Sequence, residues 1–197
     1  MLEIRNCDKY YKKIKALNNV SIKFENPGLY ILLGENGSGK STILKLLARV
    51  IYKNKGEVIN KELISYLPEK FSMPKLMKVK AYVDNLLRIF RSDKRTEDLL
   101  ELYLIPNKRI GELSKGNLQK LAILQALEND VNYYLLDEPI DGLDIYAKKL
   151  FKEIIIELLS KNKTVIMSLH NKTIFNDLKP KVIKIKEGKL DVKKRKV

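Results

Sequence analysis

The chain has 197 residues, with 39 Lys and Arg against 24 Asp and Glu and a formal net charge of +15. That length suits one domain of roughly 100–200 residues with a buried core, and an apolar fraction of 45% excludes a disordered polymer. No apolar run reaches the ~18 residues of a membrane span, Glu3, Arg5 and Asp8 interrupt any signal peptide, and the single cysteine, Cys7, permits neither an internal disulfide nor a Cys-based metal cluster, which suits a reducing cytoplasm.

Leu2 and Ile4, then Val20, Ile22 and Phe24, alternate with polar residues at the period of half-buried strands. Asn26-Pro27-Gly28 marks a turn. Leu29 to Leu33 is a continuous apolar run, the pattern of a strand buried on both faces. A glycine-rich loop follows, and Ile43, Leu46, Leu47 and Val50 predict a helix from Thr42 to Ile51. Glu62 to Leu67 predicts another strand, closed by Pro68.

Over residues 70–111 the period turns helical. Val83, Leu86, Leu87 and Phe90 share one face, and Leu99, Leu102 and Tyr103 repeat the spacing behind Thr96 as the expected cap. This predicts a small helical lobe. A further helix starts at Lys115 and carries Leu118, Leu121, Ala122 and Gln125. Asn132 to Leu136 reads as a second buried strand ending in Asp137-Glu138. Ile145 to Leu159 reads as a helix burying Leu150, Phe151, Ile154 and Leu158, and Thr164 to Leu169 as a third buried strand. Val182 to Val192 alternates around Glu187-Gly188-Lys189 and predicts a hairpin. No internal repeat is visible. Strands alternating with helices imply a parallel sheet covered on both faces, and ligands of such sheets sit beyond the carboxyl ends of the strands. Gly34 to Ser41, Asp137-Glu138 and His170 each follow such a strand and are expected on one edge.

The strongest local signal is Gly34-Glu35-Asn36-Gly37-Ser38-Gly39-Lys40-Ser41-Thr42, which satisfies G-x-x-x-x-G-K-[ST] between a strand and a helix. Its glycines let backbone N–H groups turn toward phosphate oxygens, and the helix N-terminus adds partial positive charge. Lys40 is expected to reach the β- and γ-phosphates of a nucleotide, and the Ser41 hydroxyl to ligate Mg²⁺. Asp137 and Glu138 suit the second half of a nucleotide site: one carboxylate holds the metal, and the next accepts a proton from attacking water.

With these residues in place, the chain resembles the ATP-binding subunit of ABC transporters along nearly its whole length. Leu113-Ser114-Lys115-Gly116-Asn117-Leu118-Gln119 is similar to the family signature, and it precedes Tyr134-Leu135-Leu136-Asp137-Glu138-Pro139 at the family's distance. Asp141-Gly142-Leu143-Asp144 resembles the D-loop, with Ile140 where Ser or Thr is commoner, and His170 resembles the switch histidine. Tyr11, beside Tyr10, falls where the family stacks an aromatic on adenine. Tyr66-Leu67-Pro68-Glu69 puts Glu69 where the family usually has the Q-loop glutamine. It keeps an oxygen that can approach Mg²⁺ and loses the amide donor. Together with Leu113-Ser114-Lys115-Gly116 it resembles the exporter branch handling drugs, antibiotics or peptides.

The resemblance implies an α/β P-loop NTPase fold with a mainly parallel sheet, an N-terminal antiparallel β subdomain and a small inserted helical subdomain, about residues 70–111 of a single domain over 1–197. It implies catalytic roles for Lys40, Glu138 and His170 and a metal site at Ser41, Glu69 and Asp137. It also implies that Ser114 and Gly116 face the γ-phosphate bound to an opposite subunit, so that two chains, identical or paired, sandwich two ATP molecules. The expected setting is the cytoplasmic face of the membrane, with a separate transmembrane permease as partner.

The net charge pulls toward another reading, a soluble ABC ATPase associated with nucleic acid. Lys supplies 32 of the basic residues and Arg 7, a bias that, with abundant Ile and Asn, also follows from AT-rich codons. The chain has no room for the second cassette, long coiled coil or zinc module of the nucleic-acid-handling members, so no nucleic-acid partner is expected. Part of the charge is local: Lys184 to Val197 holds seven basic residues against Glu187 and Asp191. Beneath an anionic leaflet such a tail would contribute roughly 1 kcal/mol per basic residue.

Overall fold

A computed structural model describes residues 1–191 of the chain; the basic run Lys193–Lys196 lies outside them. The chain runs β1 (Leu2–Tyr11), β2 (Ile14–Phe24), β3 (Gly28–Leu33), α1 (Lys40–Leu47), β4 (Lys55–Asn60), β5 (Ile64–Leu67), α2 (Val79–Phe90), α3 (Thr96–Leu102), α4 (Lys115–Leu127), β6 (Tyr133–Asp137), α5 (Ile145–Ser160), β7 (Thr164–Leu169), β8 (Lys181–Lys186) and β9 (Lys189–Leu190). β2, β1 and β4 form an antiparallel sheet in that order. The second sheet has the order β5-β6-β7-β3-β8-β9; it is parallel throughout except for β9, which turns back antiparallel on β8. This is the α/β architecture expected from the sequence, with a mainly parallel sheet and an antiparallel N-terminal one.

The continuous apolar runs are explained by two cores. Leu29 and Ile31 of β3, Tyr134 and Leu136 of β6, and Val165 and Met167 of β7 face one core, shared with α2, α3, α4 and α5. Tyr30 and Leu32, Tyr133 and Leu135, and Ile166 face the other, where α1 packs Ile43, Leu44, Leu46 and Leu47 against Leu2, Ile4 and Phe24 of the antiparallel sheet. Successive strand residues point to opposite faces, so a strand covered on both sides must be apolar at every position.

Several expectations need correction. α1 ends at Leu47, and Val50 is exposed. Thr96 does not cap α3: Arg95 holds that position, while the buried Thr96 side chain donates its hydroxyl proton to Asp84 and ties α3 to α2. Leu102 and Gln125 are exposed rather than packed. On α5, Leu150 and Ile154 are half-buried and Ile155 is fully buried. β4 has no sequence signal of its own, because five of its six residues are not buried and it is defined by pairing with β1.

The register of the parallel sheet positions the site. Leu33 pairs with Leu169, Leu67 with Leu136, and Asp137 with Ser168. The chain segments beginning at Gly34, Pro68, Glu138 and His170 therefore leave the sheet along a common edge.

Candidate nucleotide site

Gly34–Gly39 joins β3 to α1 as a loop that closes around the side chain of Lys40, the first residue of the helix. Gly39 sits at φ +111°, a conformation that suits glycine, and an added Cβ would lie 2.9 Å from the Ala16 carbonyl oxygen. No side chain caps α1, so the N–H groups of its first turn remain for a ligand. The Lys40 side chain is buried; its Nζ donates to the carbonyl oxygens of Gly34 at 2.8 Å and Glu35 at 3.1 Å and lies 3.5 Å from Glu138 Oε1. The ammonium is thus held over the loop by partners that a phosphate can replace.

The acidic pair is wired to the loop from β6. The Ser41 hydroxyl donates to Asp137 Oδ1 at 2.9 Å, and the Ser168 hydroxyl donates to the same oxygen at 2.6 Å. Asp137 is fully buried, and its Oδ2 has no partner among the described residues. Glu138 is 7% exposed, its Oε2 also lacks a partner among the described residues, and its Oε1 lies 3.4 Å from His170 Nε2. Burial pushes the Glu138 carboxyl above the ordinary carboxylate range; the neighbouring His170 and Lys40 oppose the rise, and Asp141 adds to it. That shift moves the group toward the range where it can take a proton near neutral pH.

These residues surround a cleft of about 690 Å³ lined by Tyr11, Asn36 to Thr42, Glu69, Glu138, Asp141 and His170, with Ile14, Lys15, Ala16, Glu187 and Gly188 completing the wall. Tyr11 lines it and Tyr10 does not. Gly34 and Glu35 contribute carbonyls to Lys40 and do not line this cleft. Ser114 and Gly116 do not line it either. They sit at the start of α4, where the Ser114 hydroxyl oxygen accepts the Asn117 N–H at 3.2 Å.

A divalent metal fits the donors present. Ser41 Oγ, the unpartnered Asp137 Oδ2 and the Glu69 carboxylate offer oxygen atoms only, the choice of a hard cation such as Mg²⁺.

Three contributors were not assigned to this site from the sequence. Ser168 bridges Asp137 and the Glu138 backbone; its signal was its place two residues before His170 on a strand of period two. Asp141 offers an oxygen within 4.8 Å of donor atoms of both Glu138 and His170. The β8–β9 turn supports the phosphate loop from behind, where the Gly188 N–H donates to the Ser38 carbonyl at 2.9 Å and the Gly188 carbonyl accepts the Asn18 N–H at 2.8 Å. The last depends on long-range packing and leaves no local pattern.

A phosphate loop at the end of a buried strand, a hydroxyl and an aspartate set for a metal, and a glutamate beside them define a P-loop nucleoside triphosphatase. Residues 17–141 match the ABC transporter family. Among relatives, an uncharacterized ABC transporter ATP-binding protein, MJ1023 of Methanocaldococcus jannaschii, is 32% identical over 95% of this chain and 75% of its own length. The zinc import ATP-binding protein ZnuC of Rickettsia conorii is 31% identical over 87% of this chain and 76% of its own. The lantibiotic transport ATP-binding protein SrtF of Streptococcus pyogenes is 30% identical over 98% and 90%. In fold, the chain superposes with a TM-score of 0.84 on the dimeric post-hydrolysis ATP-binding cassette MJ0796 bound to ADP and Pi, at 22% identity and covering 97% of each chain. The chain belongs to the ABC transporter family.

Proposed function

We propose that this chain is the ATP-hydrolysing subunit of an ABC transporter, and that two copies, or this chain and a paired ABC subunit, close around two ATP molecules to drive a separate transmembrane permease. The observation that carries this reading is the convergence of Lys40, Ser41, Glu138 and His170 on one cleft, with Asp137 buried behind it and bonded to Ser41. Ser114 and Gly116, which stand outside that cleft, are left free to complete the site of a second subunit.

ATP enters with its adenine against Tyr11 and its phosphates over the loop N–H groups of residues 36–42. Lys40 exchanges the Gly34 and Glu35 carbonyls for phosphate oxygens. Ser41, Glu69 and Asp137 would hold Mg²⁺, which when bound would neutralise phosphoryl charge. Glu138 orients the attacking water and takes its proton, and His170 holds the γ-phosphate. Both are effects that act as charge develops in the transition state.

The segment from about Glu69 to Asp93, in the helical lobe, is the surface offered to the permease, with Leu76 86% and Ile89 73% exposed. The chain works on the cytoplasmic face of the membrane, as one ATPase domain over 1–197. We assign export as the direction, from Tyr66-Leu67-Pro68-Glu69 and Leu113-Ser114-Lys115-Gly116. Relatives named for zinc import and for lantibiotic transport are alike in identity to this chain, so the direction rests on those two motifs alone.

Glu138→Gln tests the core of the reading. The variant is expected to bind ATP, to form an ATP-dependent dimer that persists in size-exclusion chromatography, and to hydrolyse at least about a hundredfold more slowly, within the ordinary contribution of general base catalysis. Wild-type turnover overturns the assignment.

A further inference from the structure

Ser168 is fully buried and makes two bonds into the site. Its hydroxyl donates to Asp137 Oδ1 at 2.6 Å, and its oxygen accepts the Glu138 backbone N–H at 2.9 Å. The β6–β7 register fixes this arrangement, because Asp137 and Ser168 are paired residues.

Both bonds act on groups with few alternatives. Glu138 holds φ at +48°, a region that residues with a Cβ seldom occupy and that surrounding structure must impose. Its N–H is buried and needs an acceptor; Ser168 supplies one. Asp137 Oδ1 takes two donors, Ser41 and Ser168, while Oδ2 has no partner among the described residues. The Ser168 hydroxyl thereby fixes which carboxylate oxygen is spent within the protein and which remains for a ligand. Without it, Asp137 keeps one donor and can rotate, and Glu138 is free to leave the left-handed conformation that brings Oε1 to 3.4 Å from His170.

We infer that Ser168 is a positioning residue for ATP hydrolysis, whose single hydroxyl sets both the metal-side carboxylate of Asp137 and the backbone turn that aims Glu138. The inference rests on the roles proposed for Asp137 and Glu138. It separates Ser168 from residues that merely fill the core: removal acts on turnover and on the magnesium requirement, and hardly on nucleotide affinity, because Ser168 does not line the nucleotide cleft.

The test uses the full-length chain carrying Ser168→Ala, a substitution that leaves no larger group to accommodate. We expect kcat to fall about tenfold, KM for ATP to change less than about twofold, and the Mg²⁺ concentration for half-maximal turnover to rise about three- to fivefold, the scale of one hydrogen bond to a charged group. In a Glu138→Gln background, Ser168→Ala should lower the residual single-turnover rate by much less than it does in wild type, since groups acting as a unit are not additive. Wild-type kcat with an unchanged Mg²⁺ requirement overturns the proposal. So does an equal loss in both backgrounds, or a loss of kcat matched by loss of ATP binding and of folded protein. Full turnover by Glu138→Gln alone overturns the assignment of the base instead, and Ser168 is then judged on the Mg²⁺ requirement.

Discussion

Gly188→Ala probes how the far end of the chain holds the phosphate loop. Gly188 has φ +71°, and a Cβ there would lie 2.7 Å from the Ala16 carbonyl oxygen and 3.2 Å from the Leu17 Cα, backbone atoms that cannot swing aside. The left-handed conformation costs an alanine about 1–2 kcal/mol, and forcing an atom into such a contact costs about 1–3 kcal/mol. A stiffer unfolded chain returns about 0.4–1 kcal/mol. The net loss is about 3 kcal/mol, which for a chain of this size lowers Tm by ~6–12 °C. Gly142→Ala is the control: φ is +75°, and the nearest atom is the flexible Lys115 Cε at 4.0 Å. It carries the conformational cost without the contact, leaving about 1 kcal/mol or ~2–4 °C. Thermal melts of both variants without nucleotide measure the difference. Because the Gly188 N–H donates to the Ser38 carbonyl, the same variant should also bind an ATP analogue more weakly. Equal melting temperatures for the two variants would refute the close-approach argument.

The Glu138 carboxyl is raised by burial above its ordinary value of 4.5, so its ionisation opposes folding. Stability is full below 4.5, where both states are protonated, and declines as pH rises through the raised folded value. Glu138→Gln should therefore melt above wild type at pH 7 and converge on it as the pH falls toward 4, by scanning calorimetry; a gap that widens in acid contradicts the sign. The turnover of wild type should drop on the acid side through the same raised value, earlier than an exposed glutamate would allow. Ser114 is expected to divide into two roles. Ser114→Ala removes the α4 cap and costs about 1 kcal/mol in a denaturant titration, whereas Ser114→Asn keeps the cap yet should still lose ATP-dependent dimerisation, measured by light scattering. A dimer of normal strength in Ser114→Asn would confine the residue to capping. Thr96→Val removes the hydroxyl that ties α3 to Asp84 while preserving shape, and should lower stability by about 1–2 kcal/mol by leaving the tie unmade; an unchanged midpoint would show that α2 and α3 are held by their apolar contacts alone.

What the sequence made legible depended on whether the information was local. β3, β6 and β7 were readable because burial on both faces demands an apolar residue at every position, and β7 emerges with the predicted ends, Thr164 and Leu169. Gly34–Thr42 was readable because a phosphate loop needs its glycines and its lysine at fixed spacing. β4 was not, since Lys55-Gly56-Glu57 would suit a loop and only pairing with β1 makes it a strand. Thr96 misled for a related reason. Its side chain has the chemistry of a cap, but a partner on α2, twelve residues earlier, takes its hydroxyl.

The site shows the same division within a few ångströms. Local sequence locates its parts, because each lies just beyond a recognisable buried strand, and the parallel register then aligns those strand ends without further instruction. What sequence does not disclose is the bonding between them: Ser41 to Asp137 spans 96 positions and Asp137 to Ser168 spans 31. The pairing of Asp137 with Ser168 shows why. A serine inside an apolar strand looks like an imperfection in β7 until β6 places an aspartate opposite it. Then the strand that delivers His170 to the cleft also supplies the hydroxyl that bonds the Asp137 carboxylate and the backbone of Glu138, the proposed base. The polar residue is tolerated in a fully buried strand because both of its hydrogen-bonding capacities are used, and they are used on groups the proposed chemistry requires.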